Sequence, residues 1–170
     1  MPPVAIPDGS GGVIAAWSDY RSGDLDIFAQ KMNAGGVAAW PEDGVPICKY
    51  AGAQTNPKVL SDGAGGAFIV WEDARNGIAN VDIYAQRVNS LGVPQWTAGG
   101  VLVCGAANNQ TQPVLGPNGL GGLLIAWADQ RGVDADASTL SGSAPPERRS
   151  GRPTAWRSAA PRAFKAIPLW

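Results

Sequence analysis

The stretch Asp62-Gly63-Ala64-Gly65-Gly66-Ala67-Phe68-Ile69-Val70-Trp71-Glu72-Asp73-Ala74-Arg75 decides the fold, because the chain writes versions of it three times. One copy runs from Asp8 through Trp17 and Asp19 to Arg21, and another from Asn118 through Trp127 and Asp129 to Arg131. After the first two copies comes a second phrase, Asp26-Ile27-Phe28-Ala29-Gln30 to Asn33 and Asp82-Ile83-Tyr84-Ala85-Gln86 to Asn89. Each phrase leads on to a Gly (Gly36, Gly92) and a Trp (Trp40, Trp96). Trp17 and Trp71 stand 54 residues apart, while Trp40 and Trp96, Cys48 and Cys104, and Gln54 and Gln110 stand 56 apart. The two extra residues fall between Arg75 and Asp82, and loops are where structural repeats absorb insertions.

Each unit reads as β-structure. Ala67-Phe68-Ile69-Val70-Trp71 is an unbroken apolar run after Gly-Gly, the pattern of a strand covered on both faces. Asp82 to Asn89 mixes polar and apolar positions among β-formers, which predicts a less buried strand. Asp62 to Gly66 supplies a tight turn, since Gly tolerates positive φ and Asp bonds its own backbone. Strands near Pro57 to Leu60 and Val101 to Cys104 complete four per unit, and no stretch carries a long amphipathic helical period. Four antiparallel strands repeated at about 55 residues predict an all-β chain of β-propeller blades. The expected organisation is an incomplete propeller of two and a half blades over 1–137, with units starting near Pro3, Pro57 and Pro113. About 4–8 blades close a ring, so either several chains assemble one or the chain is a fragment of a longer array.

Composition narrows the function classes. The 170 residues contain no His and 2 Cys, which excludes a Ser-His-Asp triad, a His metal ligand, a four-cysteine zinc site and a dense disulfide framework. Gly and Pro make up 37 positions, high for a globular domain but below the roughly 25–30% of low-complexity chains. The longest apolar run, Leu123 to Ala128, is too short to cross a bilayer. Met1-Pro2-Pro3-Val4 shows neither a charged nor an apolar leader segment, so no signal peptide is expected.

The net charge of −1 hides two unlike parts: residues 1–137 carry 7 basic and 13 acidic groups, residues 138–170 carry 6 and 1. After Asp136 the repeat breaks in mid-strand into Ala-, Arg-, Pro- and Ser-rich sequence. That switch resembles a shifted reading frame, and a natural disordered tail is the other reading. The five Arg of the tail are dispersed, so neither nucleic acid nor a membrane surface is an expected partner.

Recurrence separates fold from chemistry, because a catalytic centre is usually unique. The triplets Trp17/Asp19/Arg21, Trp71/Asp73/Arg75 and Trp127/Asp129/Arg131 read first as structural pairs, Asp and Arg at i and i+2 sharing a face. Arg21 and Arg75 can alternatively reach Asp26 and Asp82 across the hairpin. Asp19, Arg21, Asp73, Arg75, Asp129 and Arg131 are also the candidate binding residues, a ring of charge on one propeller face suited to an anion or a sugar. Asp24-Leu25-Asp26 and Asn80-Val81-Asp82 offer oxygen atoms but no calcium-loop spacing, so no metal and no cofactor is assigned. Cys48 and Cys104 read as small buried hydrophobes rather than a bridge. Trp40 and Trp96 read as packing anchors, with sugar stacking as the alternative. Asn109-Gln110-Thr111 is a glycosylation triplet of the kind chance supplies.

The two-part phrase, from Asp-Gly-x-Gly-Gly through Trp-x-Asp-x-Arg to Asp-Ile-Tyr-Ala-Gln-Arg-Val-Asn, resembles repeats of large secreted or cell-surface bacterial proteins. The likeness covers residues 3–136 and implies an extracellular β-propeller without a settled activity. A weaker likeness to the Asp-box of sialidases fails on spacing and on its Ser and Thr positions, so no catalytic residue carries over. The resulting expectation is a non-enzymatic scaffold or binding segment that meets protein, carbohydrate, further blades or its own copies. The alternatives are a glycosidase-type enzyme using Glu42, Asp43 and Asp24, and a truncated product without a function of its own.

Overall fold

The computed structural model describes residues 2–131 and, as backbone, residues 162–167. These residues form strands and no helix. The first sheet is a meander of β1 (Val4–Pro7), β2 (Val13–Asp19), β3 (Asp26–Met32) and β4 (Val45–Cys48). The second repeats it with β5 (Gln54–Ser61), β6 (Ala67–Asp73), β7 (Asp82–Val88) and β8 (Val101–Cys104). The third holds β9 (Gln110–Pro117), β10 (Leu123–Asp129) and β11 (Arg162–Ile167), with β10 in the middle. All neighbours are antiparallel, with Asp19 opposite Asp26 and Asp73 opposite Asp82. The stretch 138–170, expected to be irregular, lies outside the described residues except for β11. Ile167 stands opposite Leu123 as Val88 stands opposite Ala67, so β11 fills beside β10 the slot that β7 fills beside β6.

Two clusters of buried side chains bind the sheets face to face. Ile14, Ala16, Ile27 and Ala29 of the first sheet pack on Ala67, Ile69, Trp71 and Tyr84 of the second. The other face of the second sheet, with Phe68, Val70, Ile83 and Ala85, packs on Leu123, Ile125 and Trp127 of the third. Side chains alternate across a strand, so the unbroken apolar run of β6 is required by cover on both sides. The same logic corrects the expectation for Asp82 to Asn89, because Asp82, Ile83, Tyr84, Ala85 and Gln86 are all buried. Its polar members find partners, Asp82 Oδ2 from Asn76 and Gln86 from the loop before β8, while Asp82 Oδ1 has none.

Turns between β1 and β2, β5 and β6, and β9 and β10 share one construction. Asp8, Asp62 and Asn118 each accept two backbone N–H bonds from the residues two and four positions on. Gly66 then lets β6 approach β7, since a Cβ at that position would lie 2.2 Å from the carbonyl oxygen of Val88. Gly63 is the opposite case, at φ +74° with open space around it. Between sheets, Gln54 N donates to Leu25 O and Gln110 N to Val81 O, at 2.6 and 2.7 Å. Trp40 closes the first junction by donating from Nε1 to Ser90 O at 3.0 Å, and it is buried, so it is an anchor and not a sugar platform.

These contacts set the cost of adding one methyl group. Gly66→Ala is expected to lower unfolding stability by about 3 kcal/mol or more, the upper end of overpacking costs. Gly63→Ala is expected to cost about 1–2 kcal/mol, the left-handed backbone penalty alone. Urea denaturation followed by tryptophan fluorescence measures both.

Candidate functional site

The six candidate binding residues come together as three pairs, one at the end of each central strand. Trp71 Nε1 donates to Asp73 Oδ2 at 2.8 Å, and Arg75 closes on the same carboxylate through Nε and Nη2 at 2.9 and 2.6 Å. In the first unit Trp17 Nε1 and Arg21 Nη2 meet Asp19 Oδ2 in the same way, at 2.8 and 2.5 Å. Arg131 repeats the pair with Asp129. The Arg side chains therefore take the neighbour two residues back, and Asp26 and Asp82 are not their partners. The reason is local geometry, because the strand-end carboxylate accepts the backbone N–H of the Arg in all three units, and in the first two it also accepts the indole N–H.

Depth divides the three pairs. Arg21 and Arg131 are largely exposed, whereas the Arg75 side chain is only 14% exposed. Arg75 lies between the rings of Tyr50 and Tyr84, 4.2 and 3.8 Å from their centroids, and also donates to Gly99 O. Cys48, at the end of β4, touches Arg75 Nη2 at 3.2 Å and so caps this pair from the first sheet. A cation buried this far keeps its stability through stacking and a complete set of acceptors.

Electrostatics follow from these partners. Hydrogen bonding by Arg21, outweighing burial and aided by Trp17, holds the Asp19 carboxyl well below the usual carboxylate range. At Asp129 burial works against the charge, but Arg131 and its backbone N–H overcome it and the carboxyl again lies low. The Cys48 thiol is pushed up to about 12 by burial first and by the Asp73 charge second. Burial likewise raises Tyr84. Both cysteines are free, Cys48 buried and Cys104 partly exposed.

Two hollows share Lys49 and Tyr50, and the larger lies between the first and second units. A groove of about 410 Å³ is bordered by Pro46, Lys49 and Tyr50 on one side and by Pro94, Trp96 and Gly99 on the other. Tyr50 is about half exposed and Trp96 partly buried, so both present ring surface to it. A second cleft, of about 310 Å³, is lined by Ser22, Asp24, Asp26, Lys49, Tyr50 and Ala51. Asp26 is buried, and its Oδ2 has no hydrogen-bond partner. Of the three carboxylates considered for catalysis, Asp24 lines this cleft, with Asp26 beside it, and Glu42 and Asp43 do not. Among the described residues, no group of three or more Cys, Asp or Glu side chains is placed to hold a metal ion. No helix of the described residues is long and apolar enough to cross a membrane.

Sequence reasoning missed Tyr50 and Glu72. Glu72 Oε1 accepts from Asn56 Nδ2 at 2.6 Å and from Gln112 N at 2.7 Å, joining the second sheet to the third. Its counterparts are Ser18 and Ala128, so recurrence gave it no weight. No family model, no curated protein and no solved structure matches the chain.

Two outcomes test this arrangement. At pH 8, Ellman's reagent is expected to label Cys104 first and Cys48 only on unfolding, and Cys104→Ser should remove the fast phase. Acid should destabilise the protein through Asp19, whose low folded value means that the unfolded chain binds its proton first as pH falls. Stability is therefore held above about pH 4, the unfolded carboxylate value, and lost below it. In Asp19→Asn, urea midpoints should be lower at neutral pH and should change less between pH 4 and 2.

Proposed function

We propose that the three sheets are blades of a β-propeller-type array and that the chain is a non-enzymatic scaffold and binding segment of it. The observation that carries this reading is the sense of the stack. The second sheet offers one face to the first sheet and the opposite face to the third, as a blade between its neighbours around an axis does. The approach of β5 to β1, β2 and β3, and of β9 to β5, β6 and β7, supports it, since propeller blades lie closest at their first strands and diverge outward. The ligand surface is the end of the stack that carries Asp19–Arg21, Asp73–Arg75 and Asp129–Arg131 with the Tyr50–Trp96 groove beside them. Exposed guanidinium groups next to aromatic rings suit a carbohydrate or an acidic protein loop. An extracellular bacterial setting belongs to the same proposal and rests on the likeness of the repeat phrase.

The non-enzymatic part rests on where the recurrent polar groups are spent. Gln30 and Gln86 bond the backbone before β4 and β8, Gln54 and Gln110 the backbone before β5 and β9, and Asn33 and Asn89 their own turns. One observation favours a glycosidase reading, the unbonded Asp26 Oδ2 in a cleft shared with Asp24. Screening the chain against glycan and protein arrays tests the first reading. Binding is expected to fall at least tenfold in Tyr50→Ala and Arg21→Ala. Measured turnover of a glycoside that is lost in Asp26→Asn would replace it with the second.

A further inference from the structure

We propose that the chain associates with a second copy of itself head to tail, the outer face of the third sheet docking on the outer face of the first. The two outer faces are unlike each other and lie at opposite ends of the stack. On the first sheet, Val13 and Met32 are 40% and 39% exposed, beside partly buried Ala15 and Trp17. On the third sheet, Val114 and Leu124 are 58% and 44% exposed, beside partly buried Ala126 and Ala128. Every one of these side chains is apolar.

Their counterparts inside the molecule say what covers such faces. Val13, Ala15, Trp17 and Met32 correspond to Ala67, Ile69, Trp71 and Val88, all fully buried against the first sheet. Leu124 and Ala126 correspond to Phe68 and Val70, buried against the third sheet. One interface is thus built twice within the chain, and among the described residues its two end halves meet no further sheet. A second copy supplies the complementary half in the orientation already used, so the contact is heterologous and continues into a ring or a filament. Burial of apolar surface drives it, as it does at the internal junctions. The inference rests on reading the sheets as units of one repeating stack, and it requires no ligand.

Sedimentation velocity on the full chain over a wide concentration range gives the test, with Val13→Arg and Leu124→Arg as blocking variants. The wild-type mass is expected to rise with concentration past that of a dimer. Each variant alone should remain a monomer, because one half of every possible contact is blocked. Mixed together they should form a dimer that does not grow, since each still carries the face that the other needs. Met32→Lys and Val114→Lys, at sites that already touch water, repeat the design should an Arg variant fail to fold. A wild-type chain that stays monomeric at all concentrations overturns the inference and points to a different cover for these faces. So does a dimer that either variant abolishes and mixing does not restore, which would be a symmetric contact. A monomer that still binds a glycan or a protein would overturn the association and leave the proposed function standing.

Discussion

The covering of β6 on both faces is the constraint from which the rest of the structure follows. Ala67, Ile69 and Trp71 are sealed by the first sheet, and Phe68 and Val70 by the third. A strand placed between two sheets has no solvated side on which to carry polar residues. Polar chemistry is therefore displaced to the strand ends and the turns, and there each group needs a partner at once. The Trp-x-Asp-x-Arg phrase is the solution at one end. The indole N–H points forward along the strand to the Asp carboxylate two residues on, and the Arg folds over the same carboxylate to neutralise it. Gly100 belongs to that solution, because a Cβ on it would come within 2.4 Å of the Trp71 ring.

The repeat carried the strands. Gly-Gly before a short apolar run, closed by Trp, marked β2, β6 and β10, and the Asp-Ile phrases marked β3 and β7. Burial was less legible for β7, since Asp82, Gln86 and Arg87 suggest a solvated face when composition alone is weighed. Those three are bonded to Asn76, to the loop before β8 and to Asp62, and partners of that kind are invisible in a local pattern. The partner of each Arg was open between two choices for a similar reason. Sequence spacing puts both the i−2 carboxylate and the cross-strand carboxylate within reach, and the backbone N–H of each Arg, bonded to the i−2 carboxylate, fixes which one faces the guanidinium.

Asp26 and Asp82 illustrate how one substituted neighbour changes the surroundings of an otherwise equivalent residue. Both stand directly across from a strand-end Asp, an arrangement of like charges that is unfavourable unless each is compensated. In the second unit Asn76, which stands where the first unit has Ser22, donates to Asp82 Oδ2 at 2.8 Å, while Asp82 Oδ1 stays unbonded. The first unit has a cleft in front of Asp26, lined by Ser22 as well.

Within a repeat protein, positions where the copies agree describe the fold, and positions where they disagree are where a site can be built without disturbing it. Lys49 and Tyr50 become Gly105 and Ala106 one unit later, and Asp24 becomes Asn80. All three line the same cleft, and Lys49 and Tyr50 also border the neighbouring groove. None of them makes a turn or strand bond that recurs in the second unit. Tyr50 does serve the fold in part, since its ring stacks on Arg75, but the second unit offers Arg131 no aromatic residue at the matching position. Unit-specific side chains are thus gathered beside the recurrent Asp–Arg pairs, against a background of recurrent groups committed to the backbone.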